Sequence, residues 1–385
     1  MTPFYEVKGV PVHSVLLMPE RDIAINYPRG DISLAFCRYC GFISNVAFDP
    51  GKHEYSSQYE ETQGFSPTFN AFARRLAMSL IERFDLRKKD IIEIGCGKGE
   101  FLTLLCELGD NRGIGFDPAY VSERDHSLIK NRVTFVKDFY SEKYIAYKGD
   151  FVCCKMTLEH IQKTAEFVAT IRGSLRDRLE TIVFFQVPDA SHVLGDLAFW
   201  DIYYEHCSYF SAGSLARLFR TCEFEITDLW KDYDDQYLMI AARPCKGRHD
   251  TPFHAEEDIQ KLAGDVDFFK QKYETRLESW KRFFGKQKKV GRRVVLWGGG
   301  SKAVAFLTTL NIGDEIEYVV DINPYRQGTF IAGVGQEIVA PAFLKTYKPD
   351  VVIVMNPVYH AEIREECRMM GLSPEIRNVT GNGRS

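Results

Sequence analysis

The sequence contains no apolar run near the roughly 20 residues that a membrane-spanning helix needs, so no such span is expected. Nor does it open on a basic stretch followed by an apolar one, the pattern of a secretory leader. Net charge is small: 49 Lys and Arg stand against 53 Asp and Glu, giving −4, and nothing electrostatic favours nucleic acid as a partner. Its ten cysteines follow no regular framework, and most sit in apolar stretches, as Cys153 and Cys154 do in F-V-C-C-K-M. That pattern reads as reduced, buried thiols and points to the cytoplasm. What is present is the composition of a globular protein, 45% hydrophobic and 26% charged, in a chain of 385 residues that is too long for one ordinary domain.

Four regions separate by pattern. Residues 1–68 are turn-rich and irregular and carry one C-x-x-C, at Cys37 and Cys40. Residues 69–250 alternate helical patterns with short β-branched runs, read as strands at 91–95, 112–117, 133–138, 150–156 and 181–187. Two further runs, 225–233 and 236–243, lie close enough to pair as a hairpin. Alternating strands and helices imply a mainly parallel sheet covered on both faces. Residues 251–292 read as a charged helical connector. Its stripe of Phe268, Phe269, Tyr273, Leu277, Trp280 and Phe284 is expected to be a packing face, and its cluster of Lys286, Lys288, Lys289, Arg292 and Arg293 a solvated connection. Residues 293–385 open on V-V-L-W-G-G-G-S-K-A and alternate strand and helix again, as a second, smaller α/β unit without a convincing sequence repeat between the halves.

The strongest local signal is Glu93-Ile94-Gly95-Cys96-Gly97-Lys98-Gly99, between a strand and a helix. Glycines there let the backbone turn tightly and approach a ligand. Dinucleotide sites space them G-x-G-x-x-G so that pyrophosphate reaches the helix N-terminus. Here the spacing is G-x-G-x-G behind an acidic residue, which suits a cationic ligand and would repel pyrophosphate. This resembles motif I of the class I methyltransferases, and the resemblance implies S-adenosylmethionine as the cofactor. Asp117, about twenty residues on, stands where an acidic group can accept the ribose hydroxyls. By the same resemblance Asp138 falls at the adenine-contacting position with Phe139 beside it. The segment M-T-L-E-H-I from Met156 resembles the family's post-strand segment. Glu159 and His160 within it are ambiguous, His160 reading first as a capping or packing residue. The competing reading is a nucleotide fold that uses NAD.

The substrate side is sought in F-W-D-I-Y-Y-E-H-C-S-Y-F-S, residues 199–211, where Tyr203, Glu205 and His206 lie together among aromatics that also suit a core. In an extended chain Glu205 and His206 point oppositely, so both reach one site only if the chain bends. Forming a carbon–carbon bond with a sulfonium methyl donor needs a base near a C–H next to a carbonyl, and histidine suits that base.

Across nearly the whole chain the combination resembles the sugar C-methyltransferases of deoxysugar biosynthesis. That resemblance implies a zinc-binding N-terminal lobe, a class I methyltransferase sheet of five parallel strands plus a terminal hairpin, and a C-terminal Rossmann-like domain that helps hold a nucleotide sugar. It implies His206 as the base, with Tyr203 and Glu205 in the same Y-x-E-H motif, and Tyr59 in Y-E-E-T-Q close to the cofactor. The glycines Gly298, Gly299 and Gly300 and the segment 319–328 resemble the family's C-terminal equivalents. The departure is the zinc site. The family uses two C-x-x-C pairs, and only Cys37 and Cys40 are present, a half-site that His13 or His53 would have to complete. Either the metal has been lost or Met1 is an internal methionine of a longer reading frame. O- or N-methylation of another small metabolite is the alternative function.

Overall fold

The computed structural model describes residues 1–52, 58–124, 129, 131–247, 251–257 and 259–381. The chain opens on strands β1 (Thr2–Pro11), β2 (Arg29–Phe36) and β3 (Ile43–Asn45), paired antiparallel. The N-terminal region is thus a sheet, where irregular structure was expected. Its inward residues, among them Phe4, Tyr5, Val10, Ile32 and Leu34, are buried, but register shifts near Pro3 and between Val7 and Val10 break the alternation that would reveal a strand. Gly9, at φ +66°, supplies the left-handed residue of the second irregularity.

Five parallel strands follow, β4 (Asp90–Ile94), β5 (Arg112–Phe116), β6 (Val133–Val136), β7 (Phe151–Lys155) and β8 (Ile182–Pro188). Their apolar runs are buried on both faces, as a parallel sheet covered by helices requires. The short β9 (Ser208–Tyr209) leaves this region and pairs with β3, completing the first sheet as β1-β2-β3-β9. β10 (Phe224–Asp232) and β11 (Tyr237–Pro244) form the expected hairpin, and β11 adds antiparallel to β8. The central order is β10-β11-β8-β7-β4-β5-β6. Its direction of winding reverses between β4 and β7, where an open α/β sheet leaves a crevice at its carboxyl edge.

The helix Ile259–Lys289 then crosses to the last unit. Its stripe does pack: Phe269, Trp280 and Phe284 are buried, the first against Phe4 and Tyr5, the other two against Phe306. Phe268 does not, and lies exposed. In the basic cluster Lys288 pairs with Asp314 and Arg292 with Glu375. The last unit is a parallel sheet of β12 (Val294–Trp297), β13 (Tyr318–Val320), β14 (Glu337–Val339), β15 (Val351–Val354) and β16 (Glu375–Asn378), ordered β14-β13-β12-β15-β16. Its winding reverses in the same way, between β12 and β15. Among the described residues no helix is long and apolar enough to cross a membrane. Eight of the ten cysteines are buried free thiols; Cys40 is exposed and Cys37 half-buried.

Candidate active site

A cavity of about 730 Å³ joins the two crevices. On the central side the loop after β4 lines it with Gly95, Cys96 and Gly97. All three loop glycines have left-handed backbones, Gly95 at φ +71°, Gly97 at +54° and Gly99 at +85°. Asp117, at the end of β5, clamps the loop: its carboxylate accepts Gly97 N–H at 2.8 Å and Ala119 N–H at 2.7 Å. Glu93 and Met156 also line the cavity. Glu93 is buried with Oε2 unpartnered, and burial pushes its carboxyl up to about 7 against the pull of Lys155. Glu61 is only half-buried, with Oε2 3.8 Å from Lys98 Nζ, and its desolvation likewise pushes the carboxyl up to about 7 against the pull of that lysine. One buried and one half-buried carboxylate beside a glycine loop fit a cationic ligand such as a sulfonium amino acid. Gly97 has the room this needs, since a Cβ there would meet Glu61 Oε1 at 2.7 Å.

The stretch after β8 turns as the site requires. His206 N–H bonds Tyr203 O at 3.1 Å, and β9 anchors the next residues on the N-terminal sheet. Tyr203 and His206 both line the cavity with ring centroids 4.0 Å apart. Burial drives the His206 imidazole well below its ordinary pKa, with His160 and Lys302 acting in the same direction. Glu205 still points the other way despite the turn. Its buried carboxylate accepts Ser14 N–H at 3.1 Å and the Ser14 hydroxyl, and lies 3.5 Å from His13 Nδ1. Burial opposes ionisation there, yet His13 and Ser14 hold this carboxyl below the usual range. Glu205 reaches the site only through its backbone, whose carbonyl lies 3.1 Å from His160 Nδ1.

Tyr59 lines the cavity within a strap pinned between the two α/β units. Lys98 Nζ donates to Tyr59 O at 2.8 Å and to Ala119 O at 2.9 Å. Arg326 donates to Glu60 O and, at 2.8 Å, to Gly299 O. On the C-terminal side Gly298, Gly300, Ser301, Lys302, Asp321, Asn323 and Asn356 line the cavity. Asp321 clamps this second loop as Asp117 clamps the first, accepting Gly299 N–H at 2.7 Å and Asn323 N–H at 2.8 Å.

Four expected site residues are not brought to the cavity. Gly99 is required by packing, since a Cβ there would collide with Phe135. Asp138 stands beyond the end of β6 and accepts from Tyr144 Oη at 2.6 Å and Lys143 Nζ at 2.9 Å, while Phe139 is 61% exposed. The chain leaves the sheet at Val136, two residues before Asp138, where the strand was expected to continue to 138. Glu205 is the fourth.

The thiol pair does not fit a closed zinc site. Cys37 and Cys40 sit in a tight turn in which Gly41 N–H bonds Cys37 O at 2.9 Å, but among the described residues no third ligating side chain joins them. His13 faces Glu205 instead, and His53 lies outside the described residues. Sequence reasoning missed Lys155, and it reached Arg326 and Asp321 only as members of the segment 319–328, without a role for either. A lone lysine ending an apolar strand signals the first. An aspartate closing V-V-D about twenty residues after a glycine turn, the spacing used to find Asp117, signals the last.

Residues 69–229 match the model of a methyltransferase domain, and residues 252–372 that of a C-methyltransferase C-terminal domain. The chain is 25% identical over 308 residues to the C-methyltransferase NovU of Streptomyces niveus, covering 75% of this chain and 72% of that protein. Solved structures that align with it include the 1,6-didemethyltoxoflavin-N1-methyltransferase of Burkholderia thailandensis, at 17% identity, 48% of this chain, 83% of that one and a TM-score of 0.36. Another is the magnesium protoporphyrin IX methyltransferase of Synechocystis PCC 6803, at 12% identity, 46% and 84% coverage and a TM-score of 0.37. With a methyltransferase domain followed by a C-methyltransferase C-terminal domain, the chain is an S-adenosylmethionine-dependent methyltransferase and is similar to one that methylates carbon.

Proposed function

We propose that the protein C-methylates a keto-sugar nucleotide or a related small carbonyl compound. One observation carries this reading: the pair of half-buried Tyr203 and buried His206 stands in a single cavity between a loop suited to a cation and a second glycine loop suited to phosphate. Gly95, Cys96, Gly97, Glu93, Asp117 and Met156 would hold S-adenosylmethionine, which would supply a methyl group on a sulfonium centre. Burial keeps the His206 imidazole neutral, so its lone pair is available to take the proton from the carbon next to the acceptor's carbonyl. The proton stays on His206, and the electron pair left on that carbon would be free to take the methyl group. Tyr203 stands beside the imidazole to hydrogen-bond the enolate oxygen, and Tyr59 closes the cofactor side of the cavity. Glu205 positions rather than reacts, fixing the turn through Ser14 and His160.

The acceptor's diphosphate is assigned to the start of the helix Ser301–Leu310, where backbone N–H groups and Lys302 favour an anion. Labelled methyl donor incubated with a panel of nucleotide sugars tests the reading. Methyl on carbon is expected, and methyl on oxygen or nitrogen overturns it. In His206→Ala turnover should fall by about 10³-fold or more with S-adenosylhomocysteine affinity nearly unchanged. Loss of cofactor binding in that variant removes the assigned role.

A further inference from the structure

Proton abstraction by His206 leaves two of its polar neighbours, Glu159 and His160, with no part in the chemistry. The short helical turn Leu158–His160 after β7 and the turn at 203–206 bring one donor atom each of Glu159, His160 and His206 within 4.8 Å of one another. Glu159 is 1% exposed, lines the cavity, and has both carboxylate oxygens without a hydrogen-bond partner. A carboxylate buried in that way is costly unless something complements it. His160 Nδ1 lies 3.1 Å from the Glu205 carbonyl, which can only accept, so the ring carries its proton on Nδ1 and leaves the Nε2 lone pair bare. A backbone carbonyl on the far nitrogen is the usual support of a metal-ligating histidine. The His160 and His206 rings meet edge to face, 4.8 Å between centroids, as two ligands converging on one point can.

Two imidazoles and one carboxylate suit a divalent transition-metal ion; Mg²⁺ and Ca²⁺ prefer oxygen donors. Ligands of a tetrahedral zinc ion lie about 3.4 Å apart, given Zn–N and Zn–O distances near 2.0–2.1 Å. The three donors therefore need to close by up to about 1.4 Å, within the range of side-chain rotation. We propose that Glu159, His160 and His206 form a site for a divalent transition metal such as Zn²⁺, its fourth position open to the cavity, and that the ion inhibits by occupying the lone pair of His206. The inhibition rests on the reading of His206 as the base; the binding site does not.

The test uses the full chain carrying Cys37→Ser and Cys40→Ser, so that the thiol pair takes no metal, stripped with chelator and titrated with Co²⁺. One equivalent should bind with the visible d–d bands of a tetrahedral site and no thiolate charge-transfer band. Glu159→Ala and His160→Ala should each weaken binding by about tenfold or more while still binding S-adenosylhomocysteine, which verifies the fold. Zn²⁺ should suppress turnover, and chelator should restore it. No d–d band in the parent, or bands unchanged in both variants, overturns the site. Stoichiometric binding with undiminished turnover overturns the inhibition and, with it, His206 as the base.

Discussion

The two α/β units are built on the same device and turned to opposite ends. Each sheet reverses its winding beside a glycine loop, β4 against β7 in one and β12 against β15 in the other. In each, an aspartate at the end of the next strand accepts one N–H from the glycine loop and another two residues beyond itself, Asp117 from Gly97 and Ala119, Asp321 from Gly299 and Asn323. The surroundings differ. The first loop faces the carboxylates of Glu93 and Glu61, the second faces Lys302, Ser301 and Asn323. Loop geometry brings backbone N–H groups to a ligand of either sign, and the side chains behind it select the charge.

The sharpest way to break this comparison is to add one methyl group to each loop. Gly97→Ala forces a side chain onto a residue at φ +54° and against Glu61, so S-adenosylmethionine affinity should fall by about 100-fold, the sum of a left-handed penalty near 1–2 kcal/mol and a lost close approach. Gly299→Ala meets Asp321 Oδ2 and Ile338 at 3.2 Å without a left-handed backbone. It should raise the acceptor KM several-fold and leave the cofactor Kd alone. Calorimetry and steady-state kinetics on the pair decide the matter; equal effects on both ligands would mean that the loops do not divide the work.

Lys302→Ala is the next largest effect. Its partner is Asp201, so the ammonium is oriented by a carboxylate at the cavity wall. Its loss should raise the KM of a phosphorylated acceptor about tenfold, as expected for one charge-assisted contact, and flatten the salt dependence of KM. A neutral acceptor analogue should show neither change.

A smaller effect sharpens the cationic side. Burial lifts the Glu93 carboxyl to about 7, so it holds a proton at pH 6 and is ionised at pH 8. A sulfonium or ammonium prefers the ionised form. S-adenosylmethionine should therefore bind several-fold more tightly as pH rises from 6 to 8, and Glu93→Gln should reduce that slope. Glu61, also near 7, shares the titration, and the double variant Glu93→Gln/Glu61→Gln should abolish it.

Much of this was legible from local chemistry. The first glycine loop, Asp117 and the hairpin depend on neighbours in sequence, and spacing reveals them. The strap and its pins do not, because Lys98 meets Tyr59 and Arg326 meets Glu60 across 39 and 266 positions. The direction of Glu205 was equally hidden. Its motif places it beside His206, while its partner Ser14 is 191 positions away on the loop after β1. The N-terminal sheet escaped notice because bulges break its period and its last strand, β9, is supplied by another region.

The weakest expected effect belongs to Asp138 and Phe139, where motif position and structure disagree. Asp138 is occupied by Tyr144 and Lys143 at the surface, and those contacts hold its carboxyl below the usual range. Asp138→Asn and Phe139→Ala should each change S-adenosylmethionine affinity less than about twofold, since neither removes a group from the cavity. A tenfold loss in either variant would show that the segment after β6 swings inward when the cofactor binds. Adenine contact would then belong to a closed conformation, which the resemblance in sequence would have located.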